Sequence, residues 1–287
     1  MIMTDTQRLD MVSCYEDIGV KTPNIDALAK SGVKFTKAYT VQPVCGPARS
    51  AIFTGQYPCI NGAYTNSIAP GLNVKTIGQR LSDKGILTGY IGKWHLDGSD
   101  YFGLGTAPDG WDADSWYDMR NYLEELSLED RVKSRKKTTM DTENLSAEFT
   151  FAHRCASRAI DFIRKHAEED YFLVVSFDEP HGPSLSPEPY ASMYKDFTMP
   201  KRPNVYDTLE NKPVHQQIWS GQRRFQDRNE LELKPKALLG CNTFVDSEIG
   251  RILRALDELN HKPAILYTTD HGDMLESHSL YAKGPAA

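Results

Sequence analysis

The chain has 287 residues, of which 40% are hydrophobic and 25% are charged, and its formal net charge is −6. This composition is typical of a globular protein with a sizeable hydrophobic core. The acidic balance argues against a nucleic-acid-binding protein, because phosphate backbones require clustered cations. No segment contains the roughly 18 consecutive apolar residues that a transmembrane helix requires, so we expect no membrane span.

Short runs of β-forming residues alternate with helical patterns over most of the chain, which predicts an α/β protein. We expect a three-layer sandwich with a largely parallel central sheet flanked by helices. In chain order, the predicted strands cover residues 1–4, 33–39, 87–91, 171–177 and 264–268. The helices with the clearest limits cover residues 23–31, 147–166 and 235–259. Thr22 can cap the first helix, and Gly32 follows its end.

Two long segments, residues 97–143 and 184–228, interrupt this alternation and are rich in Pro, Gly, Tyr, Asn and charged residues. Long irregular segments inside a compact domain usually form functional walls or lids. We therefore interpret residues 1–287 as one domain with two insertions that wall a ligand pocket. Residues 1–4 resemble the end of a buried strand, so we expect the start of that strand, and any leader before it, to lie upstream of this sequence.

Polar side chains follow four of the predicted strands, at the point where each strand ends. They are Asp5 after the first, Lys93 and His95 after the third, Asp178 and His181 after the fourth, and Asp270 and His271 after the fifth. In open α/β sheets, the ligand crevice forms at the carboxyl edge of the strands. The sequence therefore predicts that these four segments meet at one site.

The carboxylate and imidazole groups of this set indicate a metal site. The side chains of Asp5, Asp270 and His271 suit a divalent cation such as Ca²⁺, Mg²⁺ or Mn²⁺. The alternative is that an aspartate at a strand end only caps the following helix. The other polar clusters at the same edge favour the metal.

One of the five cysteines lies in a setting that favours chemistry. Their odd number leaves at least one thiol unpaired, and their spacing is not that of a zinc site. Cys45 precedes a short predicted helix that begins at Pro47 and stops at Gly55. A helix N-terminus lowers the pKa of a thiol, so a plain cysteine nucleophile and a buried structural cysteine are both open interpretations. Arg49, one turn along, could bind an anionic oxygen.

The sequence around Cys45 resembles the motif that sulfatase-modifying enzymes recognise when they convert a cysteine to formylglycine. The pattern is Cys45-x-Pro47-x-Arg49, followed by AIFTGQYP at residues 51–58. Other segments resemble the remaining sulfatase motifs in the same order: residues 3–8, 22–28, 92–95, 180–183 and 269–274, with Lys283. The chain therefore resembles the formylglycine-dependent sulfatases of the alkaline-phosphatase-like superfamily over nearly its whole length.

This resemblance implies a sulfatase catalytic domain that hydrolyses sulfate esters, with a sulfated carbohydrate as the preferred substrate. It implies that Asp5, Asp270 and His271 bind a divalent metal, most simply Ca²⁺, and that formylglycine made from Cys45 completes the set. A formylglycine-generating enzyme or an anaerobic sulfatase-maturating enzyme would then be a partner. We expect no nucleic-acid or membrane partner. The sequence does not identify the compartment, although a periplasmic or secreted location would fit the family.

The same resemblance implies catalytic roles. Arg49 and Lys93 would stabilise the formylglycine hydrate, and Lys93 and Lys283 would contact the sulfate. His95 would take a proton when the aldehyde is regenerated, and His181 would bind sulfate and assist the leaving group. These residue types suit the reaction, because negative charge that develops during sulfuryl transfer is stabilised by Lys, Arg and a divalent cation. Imidazoles titrate near neutral pH and therefore suit the proton transfers.

Two departures from the family pattern leave alternatives open. Thr6 stands where many sulfatases have a second aspartate, which favours a phosphonate or phosphate diester hydrolase of the same superfamily as an alternative. Family members continue beyond the Lys283 motif into a smaller C-terminal subdomain, so we expect a truncated chain. An inactive homologue that only binds sulfated ligands is the second alternative. His278, near the Asp270 segment, either lines the pocket or caps a turn.

Overall fold

The computed structural model describes residues 1–98, 101–135 and 145–284 of the chain. Its centre is a four-stranded sheet in the order β2-β3-β1-β4, and every neighbouring pair is parallel. The strands are β1 Ile2–Asp5, β2 Leu87–Gly92, β3 Tyr171–Pro180 and β4 Tyr267–Thr269. The predicted parallel sheet is confirmed, and four of the five predicted strands are present, although the one predicted at residues 264–268 is shifted to Tyr267–Thr269.

Helices of very different length surround the sheet. The described helices are α1 Pro23–Ser31, α2 Cys45–Thr54, α3 Pro58–Asn61, α4 Ile77–Ser82, α5 Met119–Glu125, α6 Leu128–Lys133, α7 Phe151–Lys165, α8 Tyr190–Met193, α9 Val214–Ser220 and α10 Lys236–Glu258. The four helices predicted from the sequence correspond to α1, α2, α7 and α10. None of the described helices combines the length and the apolar composition that crossing a membrane requires.

Alternating side chains of the strands divide the core into two layers. On one face, Ile91 of β2 and Val175 of β3 belong to a cluster that includes the apolar sides of α7 and α10. On the other face, Tyr90 and Val174 pack in a second cluster with Phe53 of α2. The sheet is therefore covered on both sides, which is the predicted three-layer sandwich.

The first backbone N–H groups of α1 hydrogen bond to a distant helix, whereas the sequence predicted a cap by the neighbouring Thr22. Thr22 precedes α1 as predicted, but its side chain makes no capping hydrogen bond. Instead, the carboxylate of Asp246 on α10 accepts hydrogen bonds from the backbone N–H groups of Asn24 and Ile25. The free N–H groups at the start of α1 are thus satisfied by α10, which fixes the two helices to each other.

The two predicted insertions carry short helices. Residues 97–143 contain α5 and α6, and residues 184–228 contain α8 and α9. Residues 99–100 and 136–143 of the first insertion lie outside the described part of the chain. The interpretation of these segments as walls of a ligand pocket stays a prediction.

The prediction of a strand at residues 33–39 is wrong. This segment has no regular secondary structure, and Val33, Phe35 and Tyr39 are 81%, 66% and 86% exposed. Apolar alternation is a local signal, whereas a strand forms only where a neighbour supplies hydrogen-bond partners. The described sheet ends at β2 on one side and at β4 on the other, and this segment pairs with neither edge.

Gly92 ends β2 where the backbones of two strands are in close contact. Its φ is +122°, and a Cβ atom there would lie 1.9 Å from the carbonyl oxygen of Ser176 on β3. We therefore expect Gly92→Ala to lower the free energy of unfolding by roughly 3 kcal/mol, through backbone strain and displacement of β3. Gly55→Ala is the control, because φ is +70° there but no described atom lies within 4 Å of the added Cβ. The control should lose only about 1 kcal/mol. Urea denaturation measures both, and equal losses would contradict the prediction.

Candidate active site

The carboxyl ends of all four strands converge on one buried polar cluster. Asp5 is the last residue of β1, Asp178 lies near the end of β3, and Lys93 and Asp270 directly follow β2 and β4. Asp5, Lys93 and Asp270 are fully buried. Cys45, the first residue of α2, reaches the same place, with its Sγ 3.8 Å from Asp5 Oδ1. The parallel topology therefore brings together segments that are far apart in the sequence.

Four side chains at the centre of this cluster have the composition of a metal site. One donor atom from each of Asp5, Cys45, Asp270 and His271 lies within 4.8 Å of every other donor. Nδ1 of His271 is 2.9 Å from the Gly272 carbonyl oxygen, so Nδ1 carries a hydrogen, and Nε2, which lies 3.2 Å from Cys45 Sγ, is the nitrogen that could bind a metal. Two carboxylates and an imidazole fit a divalent cation. An oxygen at position 45 in place of the thiol would suit calcium better.

The charges in this buried space favour a cation. Burial and the neighbouring Asp5 raise the pKa of Asp270 to about 7. Burial alone would lower the pKa of His271, but Asp270 and the hydrogen bond with Cys45 raise it to about 9. Burial would also raise the pKa of Asp5, but Lys93 holds it well below its usual range. The carboxylates therefore attract further positive charge, which a divalent cation would supply.

Arg49 of α2 orients the two carboxylates. Its fully buried guanidinium donates from Nε to Asp270 Oδ2 at 2.9 Å and from Nη2 to Asp5 Oδ2 at 3.3 Å. Nη1 donates to the Lys93 carbonyl at 2.7 Å and to the Ser176 hydroxyl at 2.8 Å. These contacts reach residues that lie on or directly after each of the four strands. Arg49 therefore fixes the geometry around position 45 through the groups that surround it.

Lys93 is buried between two carboxylates. Its Nζ lies 2.7 Å from Asp5 Oδ2, 2.9 Å from Asp178 Oδ1 and 3.8 Å from Cys45 Sγ. The ring centroid of Tyr101 lies 4.2 Å from the same Nζ. Burial would lower the pKa of Lys93, but Asp178 and Asp5 raise it well above its ordinary value, so the ammonium stays charged. A cation is thus held beside position 45, where an anionic substrate would need it.

The thiol of Cys45 lies among charged groups at the start of a helix. Helix α2 begins at Cys45 itself rather than at Pro47, and the thiol is only 1% exposed. Burial and Asp5 would raise the pKa of Cys45, but Lys93 and the hydrogen bond with His271 outweigh them and lower it. The surroundings therefore stabilise negative charge on an atom at this position.

His95 and His181 flank the ring of Tyr101, at ring-centroid distances of 5.2 and 5.7 Å. Burial and Lys93 lower the pKa of His95 to about 3, so this ring is neutral. Its buried Nδ1 has no hydrogen-bond partner among the residues that the structure describes. Burial and Lys93 also lower the pKa of His181, and a bound anion would act in the opposite direction.

Lys283 reaches the cluster from the segment after β4, but His278 does not. Nζ of Lys283 lies 3.6 Å from Asp5 Oδ1, and its side chain is 17% exposed. The ring of His278 instead contacts Asp207 Oδ2 at 2.7 Å and the side chain of Asn204 at 3.4 Å. Of the two predicted positions for His278, the structure supports the one outside the pocket, where it ties this segment to the second insertion.

Two further residues, Tyr101 and Asp178, contact Lys93. Tyr101 and Asp178 hydrogen bond to each other, at 2.7 Å between the hydroxyl and Oδ1. Asp178 was expected at this edge from its position at a strand end, although no role was predicted for it, whereas Tyr101 lies in the first insertion, where no sequence signal marks it. Thr6, singled out from the sequence, has a φ of +69° and donates from Oγ1 to Asp5 Oδ1 at 2.7 Å.

Comparison with known proteins identifies relatives that match nearly the whole chain. A family model described as Sulfatase matches residues 1–286. The uncharacterized sulfatase YidJ of Escherichia coli is 43% identical, over 99% of this chain and 59% of that protein. An ulvan-active sulfatase of Formosa agariphila is 28% identical, over 97% of this chain and 51% of that protein.

A solved structure agrees with the fold. The phosphonate monoester hydrolase of Agrobacterium radiobacter matches with a TM-score of 0.78 and 23% identity, over 99% of this chain and 64% of that one. At this identity the likeness concerns the fold alone. The chain therefore spans between 51% and 64% of the length of these three proteins.

Proposed function

Because the chain belongs to the sulfatase family, we propose that it hydrolyses sulfate esters through formylglycine made from Cys45 and a divalent metal, most simply Ca²⁺. The observation that carries the proposal is the grouping of Asp5, Asp270 and His271 around position 45, with the ammonium of Lys93 beside it. Conversion of Cys45 requires a partner, either a formylglycine-generating enzyme or an anaerobic sulfatase-maturating enzyme.

The first step transfers the sulfuryl group to residue 45. One hydroxyl of the hydrated formylglycine gives its proton to water and attacks sulfur, and the S–O bond to the leaving group breaks. The leaving oxygen takes a proton from the protonated ring of His181. Lys93 and Lys283, whose ammonium groups both lie beside Asp5, stabilise the negative charge on the sulfuryl oxygens. The alcohol is then free to leave.

The second step releases sulfate without attack of water on sulfur. The remaining hydroxyl of residue 45 gives its proton to His95, the C–O bond to sulfate breaks, and its electron pair leaves with the sulfate. The aldehyde is restored, and addition of water regenerates the hydrate. The ring of His95 is buried and neutral, and the negative charge of the sulfate ester on residue 45 would raise its low pKa and so favour this proton transfer. A serine at position 45 would lack the second hydroxyl and would stop after the first step.

A divalent cation at Asp5, Asp270 and His271 would supply positive charge beside the nucleophile. We therefore expect a chelator to lower the Tm of the protein and to abolish hydrolysis. Free Ca²⁺ at 100 times its Kd should restore about 2.7 kcal/mol of stability. Differential scanning calorimetry with and without Ca²⁺ measures the shift. Asp270→Asn is the matched control, because it keeps the side-chain shape and should lose most of the Ca²⁺-dependent shift. A wild-type Tm that does not respond to any divalent cation would contradict the metal site.

A second candidate function is hydrolysis of a phosphonate or phosphate diester. Thr6 favours it, because a neutral hydroxyl hydrogen bonds to Asp5 where many sulfatases have another carboxylate. Parallel measurement of kcat/KM on 4-nitrophenyl sulfate and on a 4-nitrophenyl phosphonate monoester separates the two functions. A higher kcat/KM on the phosphonate would reverse the order of the proposals.

We propose a sulfated carbohydrate as the substrate class. Next to Lys283, the rings of Trp219 and Tyr281 lie 6.2 Å apart, and the guanidinium of Arg223 lies 4.0 Å from the centroid of Tyr281. Aromatic faces and cations suit a sugar ring that carries anionic groups. A sulfate-release screen over sulfated mono- and oligosaccharides, with modified protein and a Cys45→Ala control, tests this. Hydrolysis of aryl sulfates without release from any sugar would reject the substrate class.

A further inference from the structure

Tyr101, from the first insertion, connects Lys93 to His181. Its hydroxyl lies 2.7 Å from Asp178 Oδ1 and 3.1 Å from His181 Nδ1. Its ring face lies 4.2 Å from the ammonium nitrogen of Lys93. One side chain is therefore in contact with the cation beside position 45, with the carboxylate that pairs with that cation, and with the histidine that we propose acts on the leaving group.

The hydrogen bonds of Tyr101 and of the Gly182 carbonyl together determine which nitrogen of His181 carries hydrogen. Burial would raise the pKa of Asp178, but Lys93 lowers it to about 2, so the carboxylate is ionised and can only accept. Tyr101 therefore donates its single proton to Asp178, and its oxygen accepts from Nδ1 of His181. The Gly182 carbonyl, 2.9 Å from the same nitrogen, can also only accept. Nδ1 thus carries hydrogen, and Nε2 is the nitrogen left to exchange a proton with the substrate.

The fold fixes the position of Tyr101. Gly105, in the same turn, donates its backbone N–H to the buried carboxylate of Asp118, at 2.9 Å, at the start of α5. Gly103 has a φ of +87°, and a Cβ there would lie 2.4 Å from the same carboxylate. The guanidinium of Arg135 packs over the ring of Tyr101 at 5.7 Å from its centroid. The ring is therefore held against the cluster by contacts of the segment that follows it in the sequence.

We propose that Tyr101 is a positioning residue that holds His181 with Nδ1 protonated and Nε2 available to the leaving oxygen. The inference rests on the proposed function. When the S–O bond breaks, the electron pair stays on the leaving oxygen, which takes the proton from Nε2 of the protonated ring. Asp178, linked through the Tyr101 hydroxyl, favours the positive ring that donates this proton. The contribution of Tyr101 should therefore grow with the basicity of the leaving group.

The experiment compares two esters with leaving groups of different basicity, phenyl sulfate and 4-nitrophenyl sulfate. Nitrophenolate leaves readily without a proton, whereas phenolate benefits from one. We expect Tyr101→Phe to reduce kcat/KM on phenyl sulfate by roughly 100-fold and on 4-nitrophenyl sulfate by less than about 5-fold. In a His181→Gln background, the same change should have no further leaving-group-dependent effect. Tyr15→Phe is the matched control, because Tyr15 also lies beneath a lysine, with Lys34 Nζ 5.4 Å from its ring centroid, and should lose nothing on either ester.

The outcomes separate the inference from the function on which it rests. Equal loss on both esters, or no loss, would overturn the role of Tyr101 and leave the proposed function intact. Wild-type protein that is inactive on both esters and releases no sulfate from sulfated saccharides would overturn the proposed function and the inference with it. Nitrogen NMR of histidine-labelled wild-type protein gives a test that needs no activity. It should show His181 protonated on Nδ1, and a ring protonated only on Nε2 would overturn the assignment.

Discussion

Replacement of Cys45 by alanine should reduce sulfate ester hydrolysis by the modified protein at least about 1,000-fold, while the protein stays folded. The expected loss is large because the proposed nucleophile and the group that releases sulfate are two hydroxyls on the same carbon of residue 45. Stability should change by only about 1 kcal/mol, because the substitution removes one small buried atom. Measurement of kcat/KM on 4-nitrophenyl sulfate, together with the Tm, tests both parts.

Two further variants identify the chemistry behind this loss. Cys45→Ser keeps one hydroxyl, so it should react once and accumulate a sulfated serine that mass spectrometry detects. Cys59→Ala is the control, because Cys59 is an exposed free cysteine and its loss should leave kcat/KM unchanged. Sustained turnover by Cys45→Ser, together with an unmodified thiol in the active wild-type protein, would contradict the formylglycine mechanism.

The sheet could be predicted where local and tertiary signals agree. The apolar runs that became β2 and β3 are buried and pair with each other in parallel. Residues 33–39 have a similar local pattern, but they pair with none of the described strands. The prediction that Thr22 caps α1 was wrong for the same reason. Asp246, which is distant in sequence, accepts the hydrogen bond from the start of the helix instead. Pairing and capping partners that lie far away along the chain cannot be read from local periodicity.

The centre of the candidate site was predictable because strand ends in a parallel sheet share one edge. Asp5, Lys93 and Asp270 each follow or end a strand, and the topology alone brings them together. Tyr101 could not be found in this way. Its position depends on a contact within the first insertion, between the segment after Tyr101 and Asp118 at the start of α5, and no periodic pattern encodes that contact. Site residues at the ends of strands are thus easier to predict than site residues that lie on loops around the same pocket.

Arg49→Leu should lower the free energy of unfolding by roughly 3–5 kcal/mol, the largest loss of stability that we expect from a single change in the cluster. The substitution would leave Asp5 and Asp270 buried with one cation fewer, and it would remove the donor to Ser176. Arg49→Lys is the matched control. It keeps the charge but not the planar set of donors, so we expect it to lose about half as much. Urea denaturation of chelated protein measures both.

The pH dependence of this loss has a definite sign. Burial and Asp5 already raise the pKa of Asp270 to about 7, and removal of Arg49 should raise it further. A carboxyl group whose pKa is higher in the folded protein than in the unfolded chain binds more protons when folded, so stability falls as the pH rises from about 4 toward that folded value. The difference between wild type and Arg49→Leu should therefore be smaller at pH 5 than at pH 8. A difference that is constant or shrinks as the pH rises would show that Arg49 acts through packing rather than by neutralising the two carboxylates.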